Sequence, residues 1–160
     1  MLAEVKNRDN LIVLRTFSKA FGLASLRVGF AVASGRLIQR LEEATPPFPI
    51  SSISEQLAVV TLKDRGFLAK TREFVARERL FLEKELKAVG FQVFPGQANN
   101  LFIKIPEFLS AEQFLTALRN NDVSVVTGSS FEGFSDKFFR ISVGDEKTNR
   151  QFIEKMKDIL

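Results

Sequence analysis

The sequence has no cysteine, histidine, tryptophan or tyrosine in its 160 residues, and its 17 aromatic side chains are all phenylalanine. Without cysteine, the chain can form no disulfide and offers no thiolate as a nucleophile or zinc ligand. Without histidine, it has neither an imidazole base nor an imidazole metal ligand. The side chains left for catalysis are lysine, arginine, the carboxylates, serine, threonine and asparagine. If the chain is an enzyme, lysine is the favoured nucleophile.

Long apolar runs are absent as well. No segment approaches the roughly 20 apolar residues needed to cross a bilayer. The first nine residues include several charged side chains and lack the apolar stretch of a signal peptide. We therefore expect a soluble, cytoplasmic protein with no membrane partner. A composition of 45% hydrophobic and 26% charged residues is typical of a globular chain of one domain or two small ones.

Positive charge is concentrated near the N-terminus, where residues 1–40 hold seven cations and two anions. A nucleic-acid-binding protein usually has a denser basic run with interleaved aromatic residues, or a recognisable motif. Neither is present, so we expect no nucleic-acid partner. The local excess of charge is better suited to a small anionic ligand. A basic binding module built on residues 1–40 is the least favoured of the functions considered.

The pattern of apolar residues predicts an α/β fold. In the first 90 residues it indicates two buried strands, two short helices and a long amphipathic helix that ends at Gly90. The strands are predicted at 11–14 and 28–33, and the helices at 36–44, from Ser51 or Ser52, and after 63–66. Beyond residue 90 the pattern is β-β-α-β-β-α with a mostly or partly antiparallel sheet. Its strands are predicted at 91–94, 101–105, 123–126 and 138–143, and its helices start at Ser110 and Asp145.

The residues best suited to chemistry lie between 15 and 30. Lys19 follows the first predicted strand, at the position where α/β proteins place ligands. Thr16, Ser18 and Arg27 lie nearby in sequence, and hydroxyls combined with a guanidinium suit a phosphate group. A lysine beside a bound phosphate can form an imine with an aldehyde of the same ligand. Taken singly, a Ser-Lys pair in a loop is usually solvated surface, so the specificity lies in the combination. Small residues that permit close backbone approach are Gly22, Ala24, Ser25 and Gly29.

The segment 15–30 resembles the active-lysine segment of aminotransferases that use pyridoxal 5'-phosphate (PLP) and have the aspartate aminotransferase fold, also called fold type I. It is most similar to the histidinol-phosphate aminotransferases, whose pattern reads R-T-F/L-S-K-A-F/Y-G-L/M-A-G-L/M-R-V/I/L-G-Y/F. Ser25 replaces the second glycine of that pattern. The resemblance continues through 47–52, 97–99 and 140–144, and so spans nearly the whole chain in the right order.

The resemblance implies a role for each matched residue. Lys19 would form the imine with PLP and later move a proton between the substrate Cα and the cofactor C4′. Thr16, Ser18 and Arg27 would hold the PLP phosphate. Arg140 would bind an acidic group of the substrate; taken by itself, it could equally be a strand arginine paired with Asp136 or Glu132. Asn99 matches a motif position, although an asparagine in a turn beside Gly96 is an equally good interpretation.

Two departures from the family pattern qualify these implications. Thr127 stands where histidinol-phosphate aminotransferases carry a phosphate-contacting arginine, which leaves the imidazole-phosphate substrate open. Relatives are more than twice as long, and their N-terminal part supplies a Gly-rich loop, a stacking aromatic, an aspartate and a tyrosine. We therefore expect a C-terminal part of such an enzyme, as a fragment, a truncated gene product or a split subunit. It would be inactive without the N-terminal part.

The resemblance also implies an organisation. Residues 1–70 would be the C-terminal portion of the large PLP-binding domain, and 71–160 a small α/β domain entered by the long helix. The predicted partners are a small-molecule substrate and either a second copy in a homodimer or the missing N-terminal part. The predicted reaction transfers an amino group between the glutamate/2-oxoglutarate pair and a phosphorylated or aromatic substrate such as histidinol phosphate, within histidine biosynthesis. The alternatives are a non-catalytic domain of such an enzyme and a phosphoamino-acid decarboxylase of the same fold.

Overall fold

The computed structural model describes residues 2–160, except for the side chains of Leu2, Lys6 and Asn7. Met1, which begins the predicted domain 1–70, and the Lys6 side chain of the predicted basic segment lie outside the described part. The chain divides into two compact units, one ending at Arg72 and the other covering Glu73–Leu160.

The described residues form a mixed α/β structure with two small antiparallel sheets. Its α-helices are α1 (Gly35–Ala44), α2 (Ser52–Lys63), α3 (Arg65–Ala88), α4 (Ala111–Asn120) and α5 (Glu146–Ile159). Its strands are β1 (Val13–Thr16), β2 (Gly29–Val32), β3 (Gln92–Val93), β4 (Asn100–Lys104), β5 (Val126–Thr127) and β6 (Phe138–Ser142). Short 3₁₀ helices cover Leu2–Asn7, Ala24–Leu26 and Gly128–Ser130. Within residues 2–160, no helix is both long and apolar enough to span a membrane.

In the first unit, β1 and β2 pair as an antiparallel hairpin with Thr16 opposite Gly29. The 3₁₀ helix Ala24–Leu26 lies in the long connection between the two strands. A small core of Phe17, Val28 and Ala58 packs beneath this connection. The connection carries the predicted lysine segment, so the hairpin and its core determine where that segment lies.

The prediction of a buried strand at 11–14 was wrong in both position and burial. The paired residues are Val13–Thr16, and only Val13 among them is buried, while Leu14 is 75% exposed. Successive side chains of a strand point to opposite faces, so of two neighbouring residues in β1 one faces away from the core. The second predicted strand, at 28–33, is shorter than expected, and its Phe30 is 37% exposed. In a sheet of two strands, one face packs on the core and the other stays open.

The helices of the first unit begin and end close to where the sequence predicted. Of the two candidate caps for α2, Ser51 is the one that accepts a hydrogen bond from the Ser54 N–H. Asp64 ends α2, and its Oδ1 accepts a 2.9 Å hydrogen bond from the Phe67 N–H in the first turn of α3. At the far end of α3, Gly90 has a φ of +94°, a conformation that glycine adopts without steric cost.

In the second unit, the sheet has the strand order β3-β4-β6-β5, with all neighbouring strands antiparallel. Ser110 caps α4 and Asp145 caps α5, as predicted. The two helices and α3 contribute to one apolar core with the sheet. Its buried members are Leu82, Leu86, Phe91, Val93, Leu101, Ile103, Ile105, Phe114, Leu115, Leu118, Phe139, Ile141, Ile153 and Met156.

The strand predicted at 123–126 is shorter than expected. Sheet pairing begins only at Val126, which lies opposite Arg140. Before it, Asp122 has a φ of +56°, and the Val123 N–H bonds back to the carbonyl of Leu118 in α4. Residues 123–125 therefore connect the end of α4 to the sheet edge without pairing to any strand within residues 2–160.

Candidate functional site

The turn after β1 presents two hydroxyl groups. Thr16 Oγ1 donates a 2.9 Å hydrogen bond to Ser18 Oγ, and the Ser18 N–H donates to Thr16 Oγ1 at 3.1 Å. Because Thr16 uses its hydroxyl proton on Ser18, the Ser18 hydroxyl retains a proton that it can donate to an anion. Phe17, between them, is 2% exposed and packs in the core. The alternation of outward hydroxyls and an inward ring fixes the orientation of the turn.

Lys19 follows these hydroxyls and is exposed. Its carbonyl accepts a 3.0 Å hydrogen bond from the Gly22 N–H, and Gly22 has a φ of +71°. Within residues 2–160, no hydrogen bond or ion pair engages the Lys19 amine. The amine therefore projects from a well-defined turn and is available to an electrophile.

Arg27 lies at the far end of the same connection, in an unusual backbone conformation. Its φ of 52° is in the left-handed region that few residues other than glycine adopt. Its Nη1 donates a 3.1 Å hydrogen bond to the carbonyl of Ala24, three residues earlier in the chain. The guanidinium is exposed and keeps its other N–H groups for a ligand.

Gly29 allows the two strands that carry these residues to approach closely. A Cβ atom at Gly29 would lie 2.6 Å from the carbonyl oxygen of Arg15, a distance that real contacts do not reach. The Phe17 N–H also bonds to the Val28 carbonyl at 3.2 Å, which continues the pairing past the strand end. The hairpin thus holds the Thr16–Lys19 turn beside the start of β2.

Arg140 lies on β6 between Phe139 and Ile141, which are both buried in the core. Its side chain therefore lies on the other face of the sheet, where its guanidinium carbon is 5.6 Å from the centroid of the Phe131 ring. Its Nε is buried, and no described residue accepts a hydrogen bond from it. Buried polar atoms usually have partners, so this nitrogen suits an anionic ligand. Within residues 2–160, Arg140 forms no ion pair with Asp136 or Glu132, which removes that alternative.

Asn99 precedes β4 and is tied to the segment that follows Arg140. Its carbonyl accepts a 2.9 Å hydrogen bond from the Val143 N–H. The next N–H, of Gly144, donates to Asn149 Oδ1 at 2.9 Å, and Asn149 Nδ2 donates to the buried Glu78 at 3.0 Å. These bonds give the Asn99 backbone a fixed position, and no described residue engages its side-chain amide.

Thr127, where the family resemblance predicts an arginine, presents a short hydroxyl side chain. Its Oγ1 lies 3.0 Å from Ser129 Oγ at the start of the 3₁₀ helix Gly128–Ser130. Gly128 permits this turn, because a Cβ there would lie within 2.1 Å of the Ser135 carbonyl oxygen. Among residues 2–160, no cluster of three or more acidic side chains could hold a metal ion.

The six predicted site residues fall into two groups. Thr16, Ser18, Lys19 and Arg27 lie in one connection of the first unit, and Asn99 and Arg140 lie in the second unit. Sequence reasoning missed Ser54, whose hydroxyl reaches the carbonyl of Leu26. The spacing of Ser51 and Ser54 at a predicted helix start was the available signal, but the contact across 28 residues was not readable.

Comparisons with known proteins agree with the resemblance. Residues 1–156 match the family of class I and II aminotransferases. Over 154 residues the chain is 36% identical to the histidinol-phosphate aminotransferase of Methanopyrus kandleri, covering 95% of this chain and 39% of that protein. The chain thus spans less than half the length of the curated relatives it matches.

Solved structures give the same result for the fold. The histidinol-phosphate aminotransferase of Clostridium acetobutylicum has a TM-score of 0.90 at 26% identity, covering 99% of this chain and 48% of that one. The Sinorhizobium meliloti histidinol-phosphate aminotransferase, solved in complex with pyridoxal-5'-phosphate, has a TM-score of 0.83 at 19% identity, covering 99% of this chain and 43% of that one. The predicted fold class, a partial PLP-dependent transferase fold, is confirmed. With a family match that covers nearly every residue, the chain belongs to the class I and II aminotransferases.

Proposed function

We propose that this chain is the C-terminal part of a PLP-dependent aminotransferase. Residues 1–70 form part of the large PLP-binding domain, and residues 71–160 form the small domain. The observation that carries the proposal is the connection between β1 and β2. It presents an unpartnered Lys19 amine next to bonded hydroxyls at Thr16 and Ser18, and an exposed guanidinium at Arg27.

The donors in this connection fit the phosphate of PLP. The Ser18 hydroxyl retains a proton, and Arg27 retains N–H groups that can form two parallel bonds with phosphate oxygens. Thr16 donates its hydroxyl proton to Ser18 and so holds the Ser18 hydroxyl in place. No carboxylate in this connection competes for the guanidinium, because its sequence from 15 to 30 contains no Asp or Glu.

When bound, PLP supplies an aldehyde and an electron-withdrawing ring. Lys19 supplies the amine that holds the aldehyde. Once the amino group of the substrate has taken its place on that carbon, the freed Lys19 amine would be the base that moves a proton between the substrate Cα and the cofactor C4′. The hydrogen bond from the Gly22 N–H to the Lys19 carbonyl fixes the backbone of this turn, and the Lys19 side chain is exposed.

Arg140 binds the substrate carboxylate in this proposal. The buried Nε without a partner supports it, since a bidentate carboxylate would satisfy that atom together with a neighbouring N–H. The ring of Phe131 supports the guanidinium plane. Asn99, whose backbone is fixed by Val143, contributes its side-chain amide to the substrate.

The proposed substrates are the glutamate/2-oxoglutarate pair and a phosphorylated or aromatic partner such as histidinol phosphate, which would place the enzyme in histidine biosynthesis. Similarity to histidinol-phosphate aminotransferases supports this choice. A phosphoamino-acid decarboxylase of the same fold is the second candidate, because Thr127 stands in place of the arginine of the pattern and leaves the imidazole-phosphate substrate open. A cytoplasmic location stays a prediction.

The proposed macromolecular partner is the N-terminal part of the enzyme, within a homodimer. The surface of the first unit supports binding to another protein segment, because α2 exposes a stripe of apolar side chains at helical spacing. Ile53 is 68% exposed, Leu57 41% and Val60 63%. A non-catalytic role for the chain is the alternative that the following experiment separates.

The test is a chimera that joins the N-terminal portion of the Methanopyrus kandleri relative to this chain. We expect it to transfer the amino group of histidinol phosphate to 2-oxoglutarate, and we expect Lys19→Ala to abolish the transfer. Lys63→Ala, at the exposed end of α2, is the matched control and should keep the activity of the unsubstituted chimera. Release of CO₂ from a phosphoamino acid without amino transfer would favour the decarboxylase. A folded chimera with neither activity would favour the non-catalytic domain.

A further inference from the structure

Ser54 is a buried polar residue whose partner lies far away in sequence. It is the third residue of α2 and is 5% exposed. Its Oγ lies 3.2 Å from the carbonyl oxygen of Leu26, which accepts its hydrogen bond. Leu26 immediately precedes Arg27, so the bond is made to the peptide group that leads into the proposed phosphate ligand.

The protons available in the serine pair determine the direction of each bond. The Ser54 N–H donates to Ser51 Oγ at 3.1 Å, and the two hydroxyl oxygens are 2.9 Å apart. A serine hydroxyl has one proton, and Ser54 donates it to the Leu26 carbonyl, which can only accept. Ser51 must therefore donate to Ser54. The result is a continuous chain of donors that runs from the cap of α2 to the Leu26 carbonyl.

The turn that contains Arg27 is held mainly by hydrogen bonds within the turn itself. The Leu26 N–H bonds to Leu23, and both the Arg27 N–H and its guanidinium bond to Ala24. These bonds are all local. Arg27 also has a φ of 52°, which is costly for a residue with a Cβ and persists only where its surroundings hold it. The Ser54 hydroxyl supplies a long-range hydrogen bond to the adjoining peptide.

We propose that Ser54 is a positioning residue for the cofactor phosphate: its hydroxyl fixes the Leu26–Arg27 peptide and thereby orients the Arg27 guanidinium. The inference rests on the proposed function, in which Arg27 holds the PLP phosphate. It adds a residue of α2 that touches no reacting atom and still sets how tightly the phosphate is held.

The first test needs no cofactor. Ser54→Ala removes the hydroxyl and keeps the N-cap bond to Ser51. The matched control is Ser52→Ala, since Ser52 is exposed and makes no side-chain hydrogen bond within residues 2–160. In Ser54→Ala, amide hydrogen exchange at Leu26 and Arg27 should become at least about tenfold faster. This change corresponds to the loss of a hydrogen bond that contributes about 1.4 kcal/mol. Exchange at these two residues should stay unchanged in Ser52→Ala. Equal exchange in the two variants would overturn the inference.

The second test separates phosphate positioning from a general loss of stability. The dissociation constants of PLP and of pyridoxal, which lacks the phosphate, are compared for each variant. The preference is the ratio of the pyridoxal dissociation constant to the PLP dissociation constant. We expect this ratio to be about tenfold lower in Ser54→Ala than in the wild type, with the affinity for pyridoxal unchanged. Ser54→Thr retains the hydroxyl and should restore the preference. A variant that is merely less stable would bind both ligands more weakly and keep their ratio.

The outcomes distinguish this inference from the function on which it rests. A wild type that prefers PLP and a Ser54→Ala variant that prefers it equally would overturn the role of Ser54 and leave the function standing. A wild type that binds PLP and pyridoxal equally would overturn the phosphate role of Arg27, and the inference with it. If Ser54→Ala does not fold, Ser54→Thr and Ser54→Cys decide the question. Cysteine offers only a weak S–H donor, so a full preference in the folded Cys variant would contradict the inference.

Discussion

Asn149 Nδ2 donates a 3.0 Å hydrogen bond to Glu78 Oε2, and the two residues are only 3% and 4% exposed. The same asparagine bonds through its Oδ1 to the Gly144 N–H and through its Nδ2 to the Gly144 carbonyl. A buried carboxylate is costly without partners, and Asn149 provides one while also holding the corner after β6. The pair therefore links α3 to the strand that carries Arg140.

Replacing Asn149 with alanine should lower the free energy of unfolding by about 2–3 kcal/mol, because the buried Glu78 side chain then has one hydrogen-bond partner fewer. The measurement is denaturant unfolding followed by circular dichroism. Asn120→Ala is the matched control, since Asn120 is exposed at the end of α4, and its effect should stay within about 0.5 kcal/mol. Equal destabilisation in the two variants would contradict a structural role for the buried pair.

Gly29→Ala should disturb the hairpin that positions Lys19. The new Cβ would lie 2.6 Å from the Arg15 carbonyl, so the backbones must separate, at a cost of about 1–3 kcal/mol. We expect a lower unfolding midpoint together with weaker PLP binding. Gly35→Ala, at a position with no atom within 4 Å of the added Cβ, should keep both near wild-type values. Full PLP affinity in Gly29→Ala would show that the close approach of the strands does not matter for the site.

Glu107 should make stability depend on pH at the acid end. Hydrogen bonds from Lys104 and then Lys137, with the positive charge of both, lower the pKa of this carboxyl from 4.5 to about 2. The folded state therefore binds the proton less readily than the unfolded state does. The contribution is fully present above pH 4.5 and is lost as the pH falls toward about 2.

The measurement for this prediction is the unfolding midpoint between pH 4.5 and about 2 in wild type and in Glu107→Gln. The wild type should lose more stability on acidification than the variant. The difference should shrink in high salt, because Glu107 is 68% exposed and its ion pairs are screened. Glu112→Gln, at an exposed glutamate of α4 with no ion pair in the described part of the chain, should follow the wild type. A parallel pH course for Glu107→Gln and wild type would contradict the assignment.

The helix boundaries could be predicted from the sequence because each depends on a few neighbouring residues. Ser110 and Asp145 cap the helices that follow them, and Gly90 lies beyond the end of α3. The strands were less predictable because pairing partners decide where a strand begins. Leu14 belongs to an apolar run yet is exposed, since the pairing of β1 with β2 turns it away from the core.

The candidate site divides in the same way. Thr16, Ser18 and Lys19 are neighbours in sequence, so their motif was readable from the sequence alone. The unusual φ of Arg27 and the bond from Ser54 to Leu26 depend on how α2 packs beside the connection. The free Nε of Arg140 depends likewise on the strand register and on the ring of Phe131. No local pattern contains those contacts.

The central claim is that Lys19 is the amine that reacts with PLP, and the most direct measurement is the visible absorbance of the chain titrated with PLP. We expect the wild type to give a new visible band that is absent in Lys19→Ala and present in Lys63→Ala. Reduction with borohydride followed by peptide mass analysis should place the label on Lys19. A wild type with no new band, or a band of equal strength in Lys19→Ala, would contradict the account.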